Sequence, residues 1–125
     1  MLRKELTDKI IHAFYKVYNT LGYGFLEKVY ENAMMIELEK AGLTAVQQKN
    51  ITVRYETHEI GYYYADILVE NLVILELKAA PAMREEDEAQ LINHLRATSI
   101  EVGLLFNFGK KPSFKRKIFE NRLKK

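Results

Sequence analysis

Three charged residues lie where the sequence otherwise predicts buried strands. Residues 72–78 read Leu-Val-Ile-Leu-Glu-Leu-Lys, which sets Glu76 and Lys78 into an apolar run, and Asp66 has a similar position within 62–69. Burying a charge is costly unless it is paired or binds a ligand. Side chains two residues apart share a face of a strand, about 6.6 Å apart, so Glu76 and Lys78 are expected to face the same way. These three residues are the first candidates for a functional site.

The turn between the two predicted strands decides whether Asp66 meets Glu76. A two-residue loop at 71–72 would place Asp66 opposite Leu77, on the face away from Glu76. A three-residue loop at 70–72 would place Asp66 opposite Glu76, with Cβ atoms about 4.5–5.5 Å apart. Opposed carboxylates repel and need a cation, and hard oxygen ligands with vacant positions suit Mg²⁺ or Mn²⁺. The alternative is an ion pair of Lys78 with the two acids that merely tolerates burial.

The remaining sequence predicts the helices and strands that would hold these residues. Apolar residues at helical spacing predict helices over residues 4–21, from 26 to a stop at Gly42, and over 85–98. Alternating and apolar runs predict strands near residues 46–55, 60–70, 72–79 and 102–106, with 114–119 either an edge strand or a short helix. The order is that of a mixed α/β domain.

Composition limits the class of protein. The 125 residues are 48% apolar and 29% charged, which suits one domain over residues 1–125. The absence of cysteine excludes disulfides and thiolate metal sites. No apolar run approaches the roughly 20 residues that cross a bilayer, and residues 1–11 lack the apolar core of a signal peptide. We therefore expect a cytoplasmic protein with no membrane partner.

The net charge of +2 conceals an uneven distribution. Residues 110–125 contain eight Lys or Arg and one acid, whereas the first 109 residues contain 11 basic and 16 acidic side chains. Clustered cations gain affinity for nucleic acid by releasing counterions, although a solubilising segment has the same composition. The candidate contacts to a nucleic-acid backbone are Lys110, Lys111, Lys115, Arg116 and Lys117.

Asp66, followed on the next strand by Glu76-Leu77-Lys78, resembles the signature of the PD-(D/E)XK nuclease superfamily. Ala65 departs from the pattern, since proline is common there. The resemblance implies a restriction-endonuclease-like αβββαβ core, a mixed sheet flanked by helices, here with an extra N-terminal helix. Residues 24–30, Gly-Phe-Leu-Glu-Lys-Val-Tyr, also fit GxxExxY, the motif that names a bacterial family within this superfamily, and residues 90–95 and 101–109 are similar to it as well.

The resemblance implies metal-dependent hydrolysis of phosphodiester bonds in nucleic acid, with DNA expected ahead of RNA. Asp66, Glu76 and the backbone carbonyl of Leu77 would bind Mg²⁺ or Mn²⁺. The metal would activate a water and polarise the phosphate. Lys78 would position or deprotonate that water, or stabilise the charge of the transition state.

Further residues acquire supporting roles from the same resemblance. Glu27 is a candidate ligand or ligand-positioning residue, and Tyr30 is expected in the core with its hydroxyl available to Glu27. Gln90 and His94 lie one helical turn apart and so share a face. Tyrosines 62–64 are expected to pack within the sheet rather than to form a base-stacking platform.

Two other functions are compatible with this sequence. The first is a nucleic-acid-binding or protein-interaction module that retains the nuclease fold without turnover, and the second is a non-nucleolytic metal protein. A chain of 125 residues leaves little room for a separate specificity domain, which favours a homodimer or a protein partner. The intact set of Asp66, Glu76 and Lys78 favours the nuclease over both alternatives.

Overall fold

The computed structural model describes residues 1–124 and contains, within them, three α-helices, five strands and a short 3-10 helix. In chain order these are α1 (Lys4–Leu21), α2 (Glu27–Lys40), β1 (Ala45–Tyr55), β2 (His58–Val69), β3 (Val73–Lys78), α3 (Glu85–Arg96), β4 (Val102–Asn107), β5 (Ser113–Ile118) and η1 (Asn121–Leu123). The predicted helices and strands are confirmed to within two residues at their ends, and the ambiguous segment 114–119 is a strand. Lys125, counted above in the basic segment, lies outside the described residues.

The five strands form one mixed sheet in the order β1-β2-β3-β4-β5. β3 and β4 are parallel because α3 carries the chain back between them, and the other neighbouring strands are antiparallel. The core from α2 to β4 therefore has the αβββαβ order, with α1 as an additional N-terminal helix. This confirms the predicted restriction-endonuclease-like α/β fold.

Helices cover both faces of the sheet. On one face, α1 and α2 pack on Val73, Leu75 and Leu77 of β3, and Phe14 stacks on Phe106 of β4 with ring centroids 4.4 Å apart. On the other face, α3 packs Leu91 and Leu95 on residues that include Ile74. Alternation along β3 therefore directs both Glu76 and Lys78 towards α3; the prediction was that they share a face. Within residues 1–124, no helix combines the length and apolar character needed to cross a membrane.

The turn between β2 and β3 has the three-residue length that was one of the two predicted alternatives. Val69 pairs with Val73, and the loop residues Glu70 and Asn71 have φ angles of 53° and 56°. Leu72 closes the turn by donating its N–H to the Val69 carbonyl over 2.9 Å. Continuing this register places Asp66 opposite Glu76.

The side chains of β2 change faces of the sheet at Asp66. Ile67 packs towards α1 and α2, whereas Ala65, two residues earlier, packs in the core beneath α3. Regular alternation would place both on one face. The irregular residue opposite Asp66 is Gln48, which has a φ of 51° and lies between the paired residues Gln47 and Lys49. The regular alternation of side chains between the two faces of the sheet is therefore interrupted at Asp66, the candidate acid.

Candidate active site

Asp66 and Glu76 lie in a fork where β2 and β3 separate. The pairing of these strands ends at Ile67 and Leu75, and carboxylates accept hydrogen bonds beyond that point. Leu77 donates its N–H to Asp66 Oδ2 over 2.7 Å, and the Asp66 N–H donates to Glu76 Oε2 over 3.4 Å. Carboxylate oxygens therefore accept the backbone N–H groups that carbonyl oxygens of the neighbouring strand would otherwise accept. The two carboxylates lie together in the opening between the strands.

The electrostatic environment of Asp66 reflects this crowding of carboxylates. The pKa of Asp66 is raised from a usual 3.8 to about 6, chiefly by burial and also by the negative charges of Glu76 and Glu31. The Leu77 N–H and the Lys78 charge oppose that rise in the Asp66 pKa. A cation placed between the carboxylates would relieve the repulsion, because opposite charge favours their ionised forms.

Lys78 has a different partner from the one considered above. Its Nζ lies 4.0 Å from Oδ1 of Asp87, a buried residue in the first turn of α3. Asp87 also accepts the backbone N–H of Arg84 over 3.1 Å, which caps the helix. Among residues 1–124, neither Asp66 nor Glu76 makes an ion pair with Lys78 at short range. The sequence marks Asp87 only as one of four acids favouring a helix start.

His94 is brought to Glu76 by α3. The imidazole is buried, with Nδ1 3.4 Å from Glu76 Oε2, yet neither ring nitrogen has a hydrogen-bond partner among the described residues. The Tyr63 ring covers it with centroids 5.7 Å apart. Gln90, one turn earlier on α3, is exposed. Both residues lie on α3 one turn apart, so they share a face of the helix as predicted. Of the two, His94 is the residue that contacts Glu76.

The tyrosine run does not pack within the sheet as expected. Tyr62, Tyr63 and Tyr64 are 65%, 54% and 50% exposed. Tyr62 and Tyr64 contact each other edge to face at 5.8 Å. The expectation of burial is wrong because β1 and β2 extend beyond β3, so this part of the hairpin has no third strand beside it.

Glu31 is a site residue that sequence reasoning missed. It is buried at 5% exposure, and its carboxylate accepts hydrogen bonds from Gln47, Gln48 and Lys28 at 2.7, 2.8 and 2.8 Å. It thereby holds β1 at the irregular residue opposite Asp66. Glu27, one turn earlier on the same face of α2, is exposed. The spacing from Glu27 to Glu31 is the signal that could have identified the second acid.

Tyr30 is a core residue, as expected, but its hydroxyl does not bond to Glu27. The hydroxyl donates to the Gly22 carbonyl over 2.7 Å and accepts the Phe25 N–H over 3.2 Å. Its ring stacks on Phe108 with centroids 4.3 Å apart. Tyr30 therefore fixes the loop between α1 and α2, and the predicted contact with Glu27 is wrong.

The candidate basic residues lie in three places. Lys110 and Lys111 are exposed in the loop between β4 and β5. In β5, Lys117 pairs with Glu88 of α3 at 2.6 Å, whereas Arg116 points to the other face and donates to Thr7 Oγ1 at 2.6 Å and to the Leu2 carbonyl. Lys115 lies on the same side as Lys117 by alternation. These cations therefore do not form one continuous surface.

The donor set at the fork fits a hard divalent cation. Within residues 1–124, Asp66 Oδ1 and Glu76 Oε1 accept no hydrogen bond, so each acid has an oxygen available. The same residues contain no group of three or more His, Cys, Asp or Glu arranged to hold a metal. Mg²⁺ commonly binds through one or two carboxylates and completes its shell with waters and substrate phosphate. Two carboxylates are thus a sufficient protein contribution.

The mixed sheet and the acid pair at a strand fork, with a lysine two residues beyond, define a restriction-endonuclease-like protein. The chain belongs to the PD-(D/E)XK nuclease superfamily, whose family model matches residues 4–118. Nucleases of this superfamily generally use divalent metals.

Comparison with solved structures supports the fold alone. The structure described as "Crystal structure of SSO0001" aligns with a TM-score of 0.52 and 14% identity, over 74% of this chain and 50% of that one. The chain thus spans about half the length of that protein. A search among curated proteins finds no match.

Proposed function

We propose that this protein is a metal-dependent nuclease that hydrolyses phosphodiester bonds, with DNA as substrate ahead of RNA. The observation that carries the proposal is the juxtaposition of Asp66 and Glu76 in the strand fork, each bonded to the other strand's segment. Gly24, Glu27 and Tyr30 further support assignment to the GxxExxY branch of the superfamily.

Asp66 and Glu76 would hold Mg²⁺ or Mn²⁺, with the Leu77 carbonyl as a third protein ligand. When bound, the metal supplies an acidified water and polarises the scissile phosphate. Lys78, on the same side of β3 as Glu76, contributes positive charge to the phosphate as negative charge develops. Asp87 lies 4.0 Å from that ammonium and holds it beside the first turn of α3.

The supporting residues act on the orientation of the two acids. His94 packs against Glu76 and limits the directions in which its carboxylate can turn. Glu31 anchors β1 opposite Asp66, and Glu27 is an exposed acid one turn earlier on α2. Gln90 is exposed on the α3 face that carries Asp87 and His94, where it can meet substrate. Preorganised positioning of this kind lowers the cost of reaching the transition state.

The second candidate is a module that binds nucleic acid or protein without hydrolysis. It is favoured by one observation, that Lys78 lies 4.0 Å from Asp87 and, within residues 1–124, makes no ion pair with Asp66 or Glu76. A homodimer or a protein partner would accompany this function as readily as the first.

The test is hydrolysis of labelled single- and double-stranded DNA and RNA by the purified protein with Mg²⁺, Mn²⁺ or EDTA. We expect cleavage with metal only. Glu76→Gln and Lys78→Ala should abolish it and retain most of the affinity for nucleic acid. Glu86→Gln is the matched control, because Glu86 is an exposed acid on α3 outside the fork.

Metal binding is measured separately by thermal unfolding. A ligand that binds only the native state at 100 times its Kd stabilises it by about 2.7 kcal/mol. Mg²⁺ or Mn²⁺ should therefore raise the Tm of wild type and of Glu86→Gln, and not that of Glu76→Gln. Wild type that binds nucleic acid but never cleaves it would favour the binding module, and cleavage retained in both fork variants would place the chemistry elsewhere.

A further inference from the structure

Four exposed apolar residues cluster where α1 is joined to α2. Tyr23, Phe25, Leu26 and Val29 are 56%, 47%, 80% and 40% exposed, and we call this group the loop patch. Single exposed apolar residues are ordinary, whereas four within seven residues of chain favour a surface that binds a ligand or partner. Neither the acid pair nor Lys78 belongs to this patch.

The loop patch is held in a fixed conformation. Gly22 and Gly24 have φ angles of 68° and 109°, which residues with a side chain rarely adopt. The buried Tyr30 hydroxyl bonds to Gly22 and Phe25 on either side of the bend. The aromatic rings are therefore presented outwards by a rigid backbone, which reduces the ordering cost when a ligand binds.

Described contacts connect the loop patch to the active-site strand. The Tyr30 ring stacks on Phe108, and Phe108 donates its N–H to the carbonyl of Lys78 over 2.8 Å. The patch therefore lies at the same end of the sheet as Lys78, separated from it by two packed rings. Glu76 and Lys78 face α3 whereas the patch lies on the α1–α2 side, so a ligand in the fork reaches the patch by passing around this end of the sheet.

Cations border the loop patch. Lys110 Nζ lies 6.0 Å from the centroid of the Tyr23 ring, and the Tyr18 hydroxyl lies 2.8 Å from the carbonyl oxygens of both Gly109 and Lys110. That contact fixes the loop that carries Lys110 and the exposed Lys111. An exposed aromatic ring beside an ammonium group on an anchored loop matches a ligand in which flat aromatic groups alternate with negative charges.

We infer that the loop patch binds unpaired nucleotides of the nucleic acid whose backbone enters the fork. Bases stack on Tyr23 and Phe25, and Lys110 and Lys111 meet the phosphates between them. Base–aromatic stacking tolerates any sequence but requires bases that are free of a duplex stack. The inference rests on the proposed function and deepens it: the substrate contains a single-stranded segment or end, rather than only blunt duplex.

The first experiment measures binding without cleavage. In EDTA, the Kd is measured by fluorescence anisotropy for labelled dT20 and for a blunt 20-bp duplex, with wild type and a Tyr23→Ser/Phe25→Ser variant. Loss of stacking on two rings should weaken dT20 binding by about tenfold or more and leave duplex binding almost unchanged. The control is Tyr55→Ser/Ile60→Ser, which removes equally exposed apolar residues near the tip of the β1–β2 hairpin.

A tryptophan reporter tests contact directly. The chain has no tryptophan, so Phe25→Trp introduces a single fluorophore into the loop patch while retaining an aromatic face. Titration with dT20 should quench its emission at the concentrations that raise the anisotropy. Tyr55→Trp at the hairpin tip should show no quenching. The Tm of each variant confirms that it is folded before the Kd is compared.

Each outcome separates this inference from the proposed function. Weakened dT20 binding with normal duplex binding supports the inference, even where wild type never cleaves and the proposed function fails. Unchanged dT20 affinity, equal losses on both substrates, or no dT20 binding by wild type overturns the inference, even if hydrolysis is observed. Sedimentation that shows a wild-type dimer and a Tyr23→Ser/Phe25→Ser monomer also overturns it, because a second copy would then occupy the patch.

Discussion

At the residue scale, Asp66 combines two requirements that oppose one another. Its carboxylate accepts the Leu77 N–H and so completes the hydrogen bonding of a buried strand. It also faces Glu76 and lies within the electrostatic influence of Glu31, both of which disfavour its ionised form. Buried carboxylates near other acids are a common source of raised pKa values at functional sites. The metal-free protein therefore carries a local electrostatic cost that a bound cation would remove.

The pKa of Asp66 predicts how stability depends on pH. Since the pKa rises from 3.8 to about 6 on folding, the stabilising contribution of Asp66 is fully present below pH 3.8 and is lost as pH increases through 6. Asp66→Asn removes the charge and keeps an oxygen for the Leu77 N–H. Its stability relative to wild type should therefore increase by about 2–3 kcal/mol between pH 4 and pH 8.

Urea unfolding in EDTA at pH 4, 6 and 8 measures this difference. A difference that is the same at all three pH values would contradict the burial of Asp66 beside other acids. Glu86→Gln is again the control, because Glu86 is exposed and its removal should produce no such trend. Mg²⁺ should stabilise wild type less as pH falls below 6, since protonation of Asp66 competes with metal.

Sequence identified the acids of β2 and β3 because charges inside apolar strands are conspicuous. The sequence left two turn lengths open, because neither Glu70 nor Asn71, which both have positive φ angles, is a glycine that would indicate such a turn. Glu31 and Asp87 were missed for a different reason: acids on helices are ordinary until tertiary packing buries them. Whether a helical acid is buried beside the fork depends on how elements that are far apart in sequence pack together. The local sequence pattern gives no information on that packing.

At the element scale, the start of α2 departs from helix-capping preference. Leu26 occupies the N-cap with an extended backbone and provides no side-chain hydrogen bond to the first turn. Ser, Thr, Asp and Asn are preferred there because they satisfy unpaired N–H groups. Leu26 is also 80% exposed, so packing gives no compensating stability. A residue that breaks a local rule without a packing gain is typical of a functional position.

Leu26→Ser should therefore stabilise the fold and weaken binding. A serine N-cap is expected to increase the free energy of unfolding by about 0.5–2 kcal/mol, measured by urea denaturation. The same variant should have a higher Kd for dT20, because it removes a residue of the loop patch. Leu26→Ala is the matched control, which loses the side chain without gaining a cap. Destabilisation by Leu26→Ser, or unchanged affinity in both variants, would contradict this account.

Local periodicity predicted the elements well and their distortions poorly. The helical spacing in residues 4–21 survives in α1 because its apolar face packs against the sheet. The alternation in β1 and β2 predicted regular strands, yet the side chains change faces of the sheet at Gln48 and Asp66. At that reversal, Gln48 donates a side-chain hydrogen bond to Glu31 of α2. The reversal coincides with a contact between elements, which strand propensity alone could not predict.

At the scale of the whole molecule, the fold divides a basic sequence segment among different surfaces. The edge strand β5 alternates between the α1 face and the α3 face, so neighbouring cations point in opposite directions. Arg116 bonds to Thr7 and Leu2, and Lys117 pairs with Glu88, whereas the loop that precedes β5 leaves Lys110 and Lys111 exposed at the end of the sheet where the fork lies. Charge counted along the sequence therefore overstates the number of cations available to one ligand.

The salt dependence of binding should reveal this division. Each phosphate contact on a single strand contributes about 0.7 to the slope of log K against log salt. Lys110→Ala/Lys111→Ala should therefore reduce the magnitude of the dT20 slope by about 1.4 between 50 and 200 mM NaCl, measured by anisotropy in EDTA. Lys115→Ala/Lys117→Ala, with the same change in net charge, should alter the slope much less because Lys117 is paired with Glu88. Equal reductions for the two pairs would mean that β5 itself follows the nucleic-acid backbone and that the exposed loop has no special role.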